Sequence, residues 1–326
     1  MSAPAASAPT VTLTALINQT PLWPYLFRVH LLAALLMIVE GLDTFGVGFI
    51  GPHLNEHYNI TPEQLGFVYT GTVISSLIGA TLVAPLADRI GRRPILLICC
   101  AVMGPATIVT ALSDNVAVFL AMRCIIGVAF GATLPTLMAQ VGDYAPARRR
   151  TFLVMLINFG IGFGAVVAGL LAATLVPVFG WRSLLFAAGF ISIVFSVVLF
   201  FGMPESLDFL LRKDADNPVA KKIIGRLTRT PTTVVVAPAF SEKAAKPSGS
   251  VLALFKDGRA AGTTVLWFAM SLTYVAINFE SYWVPTVMMQ NGLSIQQTGY
   301  TTAVINLISY PCAFLLGWLA DRWGVS

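Results

Sequence analysis

Long apolar blocks separated by short polar gaps set the pattern of the chain. A membrane-spanning helix needs about 20 mostly apolar residues. Eight blocks meet that length: roughly 29–51, 66–87, 94–112, 116–141, 151–177, 182–203, 262–288 and 297–320. Gly and Pro recur inside them, as helices in lipid tolerate. The pattern predicts an all-α integral membrane protein with eight spans. The first block is not a secretory signal, because it is too long and Met1 to Phe27 carry no Lys or Arg for a basic leader. One gap breaks the rhythm. Segment 204–261 is polar, rich in Pro, Ala, Lys and Thr, and far longer than the others. It reads as a linker between two membrane domains. The expected parts are an N-terminal segment 1–28, a six-helix domain 29–203, the linker 204–261, and two helices in 262–326.

Composition supports a membrane protein. Of 326 residues 56% are hydrophobic and 11% charged, with a mean hydropathy of +0.80. Soluble domains carry roughly 25% charged residues. These values exclude a disordered protein, a coiled coil and an ordinary cytosolic enzyme. The net charge is +5, but the basic residues sit in the gaps between apolar blocks rather than on one nucleic-acid-binding face. Of the 20 Lys and Arg, 18 fall on one side of the membrane under the eight-span reading. Arg182 alone falls on the other, and Arg123 lies inside a block. That asymmetry places both termini in the cytoplasm, and an even number of spans agrees.

Other chemistry is sparse. Cys99, Cys100, Cys124 and Cys312 lie inside apolar blocks and read as small buried hydrophobes. His53 and His57, with Glu56 between them, have i,i+4 spacing in an expected outer loop, but no third metal ligand is near in sequence. The chain has no phosphate-binding Gly-Lys-Ser/Thr loop, so neither ATP drive nor a cofactor is expected.

An internal repeat crosses the linker. Leu86-Ala87-Asp88-Arg89-Ile90-Gly91 and Leu319-Ala320-Asp321-Arg322-Trp323-Gly324 agree at five of six positions, each at the inner end of the second helix of its domain. This is a duplication signal. If the halves are equal, the second lacks four helices, and the expectation is a chain truncated after its eighth.

Ala84 to Arg93 resembles the loop 2–3 signature of the major facilitator superfamily. Arg123 with Gly127 and Gly131 resembles its fourth-helix motif, and Pro204-Glu205-Ser206 the stretch after its sixth helix. Glu40-Gly41-Leu42-Asp43 is similar to the Asp-Gly-x-Asp of the aromatic acid:proton symporters, with Glu as the first acid. Tyr282-Trp283-Val284-Pro285-Thr286 resembles their seventh helix. The resemblance implies a major facilitator fold and a proton-coupled symporter in the inner membrane, importing a small aromatic acid such as a hydroxybenzoate. It also implies that Asp88, Arg89, Gly91 and Arg92, with Asp321 and Arg322 in the second copy, form a conformational gate. The alternatives are a sugar carrier, an organic-cation carrier or an efflux pump, and a truncated non-transporting membrane remnant or sensor.

Four charged residues fall inside the apolar blocks: Glu40, Asp43, Arg123 and Glu280. Each costs about 2.5–3.5 kcal/mol at a helix centre if unpaired. At 1.5 Å per residue, Asp43, Arg123 and Glu280 all lie about 12–13 Å from the outer ends of their helices. Glu40 lies one turn deeper than Asp43 on the same face. The spacing predicts a mid-membrane site for substrate and proton coupling. Phe159, Phe163, Tyr274, Phe279, Tyr282 and Trp283 are candidate aromatic lining. Ion pairing that only holds the fold, helix packing by the glycines and topogenic anchoring by Arg148 to Arg150 are the competing readings.

Overall fold

The computed structural model describes residues 10–228, 235–237, 255 and 258–323. In chain order the elements are strand β1 (Thr10–Thr12) and helices α1 (Leu13–Gln19), α2 (Phe27–Tyr58), α3 (Pro62–Ile78), α4 (Ala87–Ile90), α5 (Arg92–Leu112) and α6 (Val116–Tyr144). Then come α7 (Arg150–Phe179), α8 (Arg182–Gly202), α9 (Leu207–Lys213), α10 (Pro218–Thr228), strand β2 (Val235–Ala237), α11 (Ala260–Gln290) and α12 (Ile295–Trp323).

Among the described residues, seven helical stretches are long and apolar enough to cross a membrane, those of α2, α3 continued through Ile90, α5, α6, α7, α8 and α11. The eighth expected block, 297–320, falls on α12, where most side chains from residue 310 onward lie outside the described residues.

Local chemistry explains where the helices end. Asn59 takes a left-handed conformation (φ 51°) at the end of α2. Thr61 and Gln64 form a reciprocal cap that starts α3, and the Asn115 side chain accepts from the Ala117 amide at 2.8 Å to start α6. Gly91 holds φ at 109° in the turn between α4 and α5, a value that favours glycine. One boundary differs from expectation. His53, Glu56 and His57 ride on the last turns of α2 rather than in a loop, because Pro52 sits within the helix without ending it.

Close backbone approach binds the first six long helices. A Cβ on Gly127 or Gly131 would strike the α3 backbone at Thr72 or Ser76, and one on Gly160 or Gly164 would strike α2 at Ala34 or Ile38. The small-residue spacing thus serves helix packing. Cys99 and Cys100 are buried, but Cys124 is half-buried and Cys312 exposed, so the expectation of four buried thiols fails for Cys312.

The polar segment after α8 begins as folded structure. Leu207, Leu210 and Leu211 of α9 and Ile223, Ile224 and Leu227 of α10 share one core cluster with Leu13, Leu16 and Ile17 of α1. Strands β1 and β2 pair in parallel, Thr10 opposite Val235, a small addition to an otherwise helical fold.

Candidate functional site

Arg123 and Asp43 meet in the interior, each 1% exposed. The Arg123 guanidinium donates from Nη2 to Asp43 Oδ2 at 2.9 Å and from Nη1 to Oδ1 at 3.3 Å. The Thr107 hydroxyl of α5 also donates to Oδ1, at 2.9 Å. Three helices therefore converge on one carboxylate. Two-pronged Arg–carboxylate pairing is the strong form of this contact, and it offsets part of the cost of removing both charges from water.

Glu40, one turn before Asp43 on α2, is fully buried, and neither of its carboxyl oxygens has a hydrogen-bond partner. Thr133 neighbours it, but the Thr133 hydroxyl donates to the Ala129 carbonyl at 2.9 Å. Glu280 lies exposed on α11 and takes no part in this pairing. The equal depths seen in sequence thus bring Asp43 and Arg123 together but leave Glu280 apart, because depth fixes height along a helix and not the face it presents.

Beside the pair is a small cavity of about 30 Å³, lined by Asp43, Arg123, Thr72, Phe130, Tyr274, Asn278 and Tyr282 among others. A larger cleft of about 460 Å³ between α3 and α11 shares Val73, Tyr274, Asn278 and Tyr282 with it. Tyr69 and Tyr282 stack with centroids 4.7 Å apart, and Trp283 meets Tyr69 edge-on at 5.8 Å. Four of the expected aromatics, Tyr274, Phe279, Tyr282 and Trp283, line the cleft. Phe159 and Phe163 stack on each other on α7 and do not. Tyr69, Thr72 and Thr107 escaped sequence reading, since a Tyr or Thr in an apolar block carries no charge to mark it.

Helix α11 is buried near its C-terminal end. Residues Ser281, Tyr282, Pro285 and Thr286 of α11 are buried, whereas 260–277 are almost wholly exposed. Thr286 donates to the Gly48 carbonyl of α2 at 3.1 Å, and a Cβ on Gly48 would strike the Ser281 carbonyl. On the other flank α7 packs on α12 through Gly169 and Gly299.

The opposite end of the first six helices carries the loop motif. Glu205 accepts at one carboxyl oxygen from the backbone amides of Arg92 (3.0 Å), Arg93 (3.2 Å) and Ser206 (2.8 Å). A carboxylate there also suits the positive end of α5. Arg92 pairs with Asp143 and donates to the Ala139 carbonyl at 2.8 Å, and Ser206 bonds Asp143. A Cβ on Gly91 would strike Glu205. Asp88 and Arg89 are exposed and make no ion pair or hydrogen bond among the described residues. The side chains of Asp321 and Arg322 lie outside the described residues. Glu205 and Asp143 were missed as site residues, though Glu205 sits in the Pro-Glu-Ser stretch already singled out. At the C-terminal end of α2, His57 bonds Arg182 at 3.2 Å, and both contact Asp114. Among the described residues no cluster of three or more His, Cys, Asp or Glu could hold a metal.

Comparison with known proteins gives concordant results. The sequence profile of the Major Facilitator Superfamily matches residues 13–325. The 4-hydroxybenzoate transporter PcaK of Pseudomonas aeruginosa is 32% identical over 312 residues, which are 95% of this chain and 69% of that protein. A gallate transporter of Pseudomonas putida is 27% identical over 308 residues, 94% of this chain and 68% of that one. The xylose transporter XylE from E. coli, in a partially occluded inward open conformation, superposes with a TM-score of 0.71 at 21% identity, over 92% of this chain and 74% of XylE. These matches do not bear out the expectations of a chain truncated after its eighth helix and of a second domain made of two helices alone. The alignment runs nearly the whole length of this chain, and the helices among the described residues are no count of a domain.

Proposed function

The chain belongs to the major facilitator superfamily, and on that premise we propose that it is a proton-coupled symporter of a small aromatic carboxylate such as a hydroxybenzoate. As a member of that superfamily it is a multi-pass membrane transporter and not an enzyme. The observation that carries the substrate reading is the position of Arg123 beside a cleft faced by stacked Tyr69 and Tyr282. A guanidinium suits a carboxylate, and aromatic walls suit a flat ring. The relatives that carry 4-hydroxybenzoate and gallate support the same class.

Physics supports the coupling. An aromatic carboxylate is an anion at neutral pH, and its entry against an inside-negative potential costs about 2.3 kcal/mol per 100 mV. A proton carried with it removes that charge. Asp43 and Glu40 are the acids at hand. The basic gaps support an inner-membrane protein with both termini in the cytoplasm. In that orientation the buried end of α11 lies toward the outer side and its exposed stretch 260–277 toward the inner side. Asp88 and Arg89, exposed and unpaired among the described residues, then act when the inner side closes, by pairing across the two halves. The test is uptake of labelled 4-hydroxybenzoate into proteoliposomes with and without a protonophore. Accumulation that ignores the protonophore overturns the coupling, and transport of sugars or organic cations instead overturns the substrate class.

A further inference from the structure

Asp43 and Glu40 lie one turn apart on α2, equally buried, and their bonding is opposite. Asp43 accepts from two guanidinium N–H groups and one hydroxyl. Neither Glu40 oxygen has a partner within hydrogen-bonding geometry, and its one hydroxyl neighbour, Thr133, donates to the Ala129 carbonyl instead. We propose that Glu40, rather than Asp43, is the carboxyl that carries the transported proton. This rests on the symporter reading above.

The neighbours of Glu40 support it. On its own helix the charged neighbour is Asp43, on α5 the thiols of Cys99 and Cys100, and on α6 Thr133. Cys100 points its sulfur at the Ser192 carbonyl, 3.7 Å away, and a thiol is a weak donor in any case. Thr133 is committed to Ala129. A bare carboxylate in such a place is among the costliest groups to bury, whereas a neutral acid is tolerable. Asp43 has the reverse surroundings, built to hold a negative charge.

The arrangement links proton and substrate. A ligand carboxylate that draws Arg123 away leaves Asp43 uncompensated. Two negative charges one turn apart repel, so Glu40 keeps its proton while ligand is bound. When ligand leaves, Arg123 returns to Asp43 and the repulsion ends, so the Glu40 proton leaves once the open side admits water to the carboxyl, which the dry surroundings of the present state do not. Each partner thus favours retention of the other, as linkage requires.

The experiment uses proteoliposomes and labelled 4-hydroxybenzoate, measuring counterflow exchange and proton-driven accumulation in parallel. Glu40→Gln, which matches the neutral acid in shape, is expected to keep exchange and lose accumulation. Glu40→Asp restores accumulation at least in part. Asp43→Asn is expected to weaken both while keeping ligand binding, because Arg123 then has no carboxylate to return to and releases the ligand slowly. If wild type responds to the protonophore and Glu40→Gln still accumulates in a protonophore-sensitive way, the proton is elsewhere and the proposal falls while the symporter reading stands. If wild type itself ignores the protonophore, the reading falls and takes the proposal with it. Failure of Glu40→Gln to fold also counts against the proposal, since a neutral isostere should be accepted where a neutral acid sits.

Discussion

Gly169 on α7 and Gly299 on α12 lie backbone against backbone, and a Cβ on Gly169 would sit 2.6 Å from the Gly299 carbonyl oxygen. No side chain fits there without moving a helix. The Gly48–Ser281 contact is equally tight and lies at the same end of α11 and α12. The first prediction is that Gly299→Val pries this end apart. A cysteine at Thr286, buried by the α2–α11 contact, should then react faster with a membrane-impermeant maleimide in a background free of the four native cysteines. Unchanged labelling would remove the contact from the gating mechanism.

Orientation is open to the same chemistry. A cysteine at Glu63, exposed at the start of α3, should label from outside intact cells, and one at Lys221, exposed on α10, should not. The reverse pattern would turn the molecule over and make the closed end the inner one.

Arg123→Lys keeps a cation but loses the planar fork. Loss of one charge-assisted hydrogen bond costs about 1.5–3 kcal/mol, or roughly 10- to 150-fold in affinity. Equilibrium binding of 4-hydroxybenzoate should weaken on that scale. Wild-type affinity would mean that the ligand carboxylate does not meet Arg123. Arg123→Ala is expected to do more damage, because it strands the Asp43 carboxylate and costs about 3–5 kcal/mol of stability.

Glu205→Gln should lower thermal stability by weakening two backbone contacts at the start of α5 and one at Ser206 before α9, each made to a charged acceptor and so stronger than a neutral bond. Asp88→Asn, at an exposed position with no partner among the described residues, should leave stability unchanged while slowing turnover. Equal loss of stability in both variants would assign Asp88 a structural part rather than a gating one.

Span positions were legible because lipid imposes length and apolarity on every crossing helix. The Asp43–Arg123 pair was legible because a buried charge needs a partner and the helix rise gave both residues one depth. The same rule failed for Glu280, since equal depth holds for every face of a helix. Glu205 and Asp143 were overlooked because acids in polar gaps look like solvated loop residues. Their role depends on a turn set by Gly91 and on the fold of α9, which no local pattern displays. Helices α9 and α10 were read as linker because their apolar residues are too few to span a membrane. They are enough to cover α1.

The β1–β2 pairing has a consequence for synthesis. Thr10 and its partner Val235 stand 225 positions apart in the chain. A ribosome adding about 5–20 residues per second needs on the order of 10–45 s to traverse that interval. Throughout it, the first strand has no mate, and six hydrophobic helices must enter the bilayer before one emerges. The strand can close only after the first membrane domain has been made, so its pairing is a late event that fastens the start of the polypeptide to its middle.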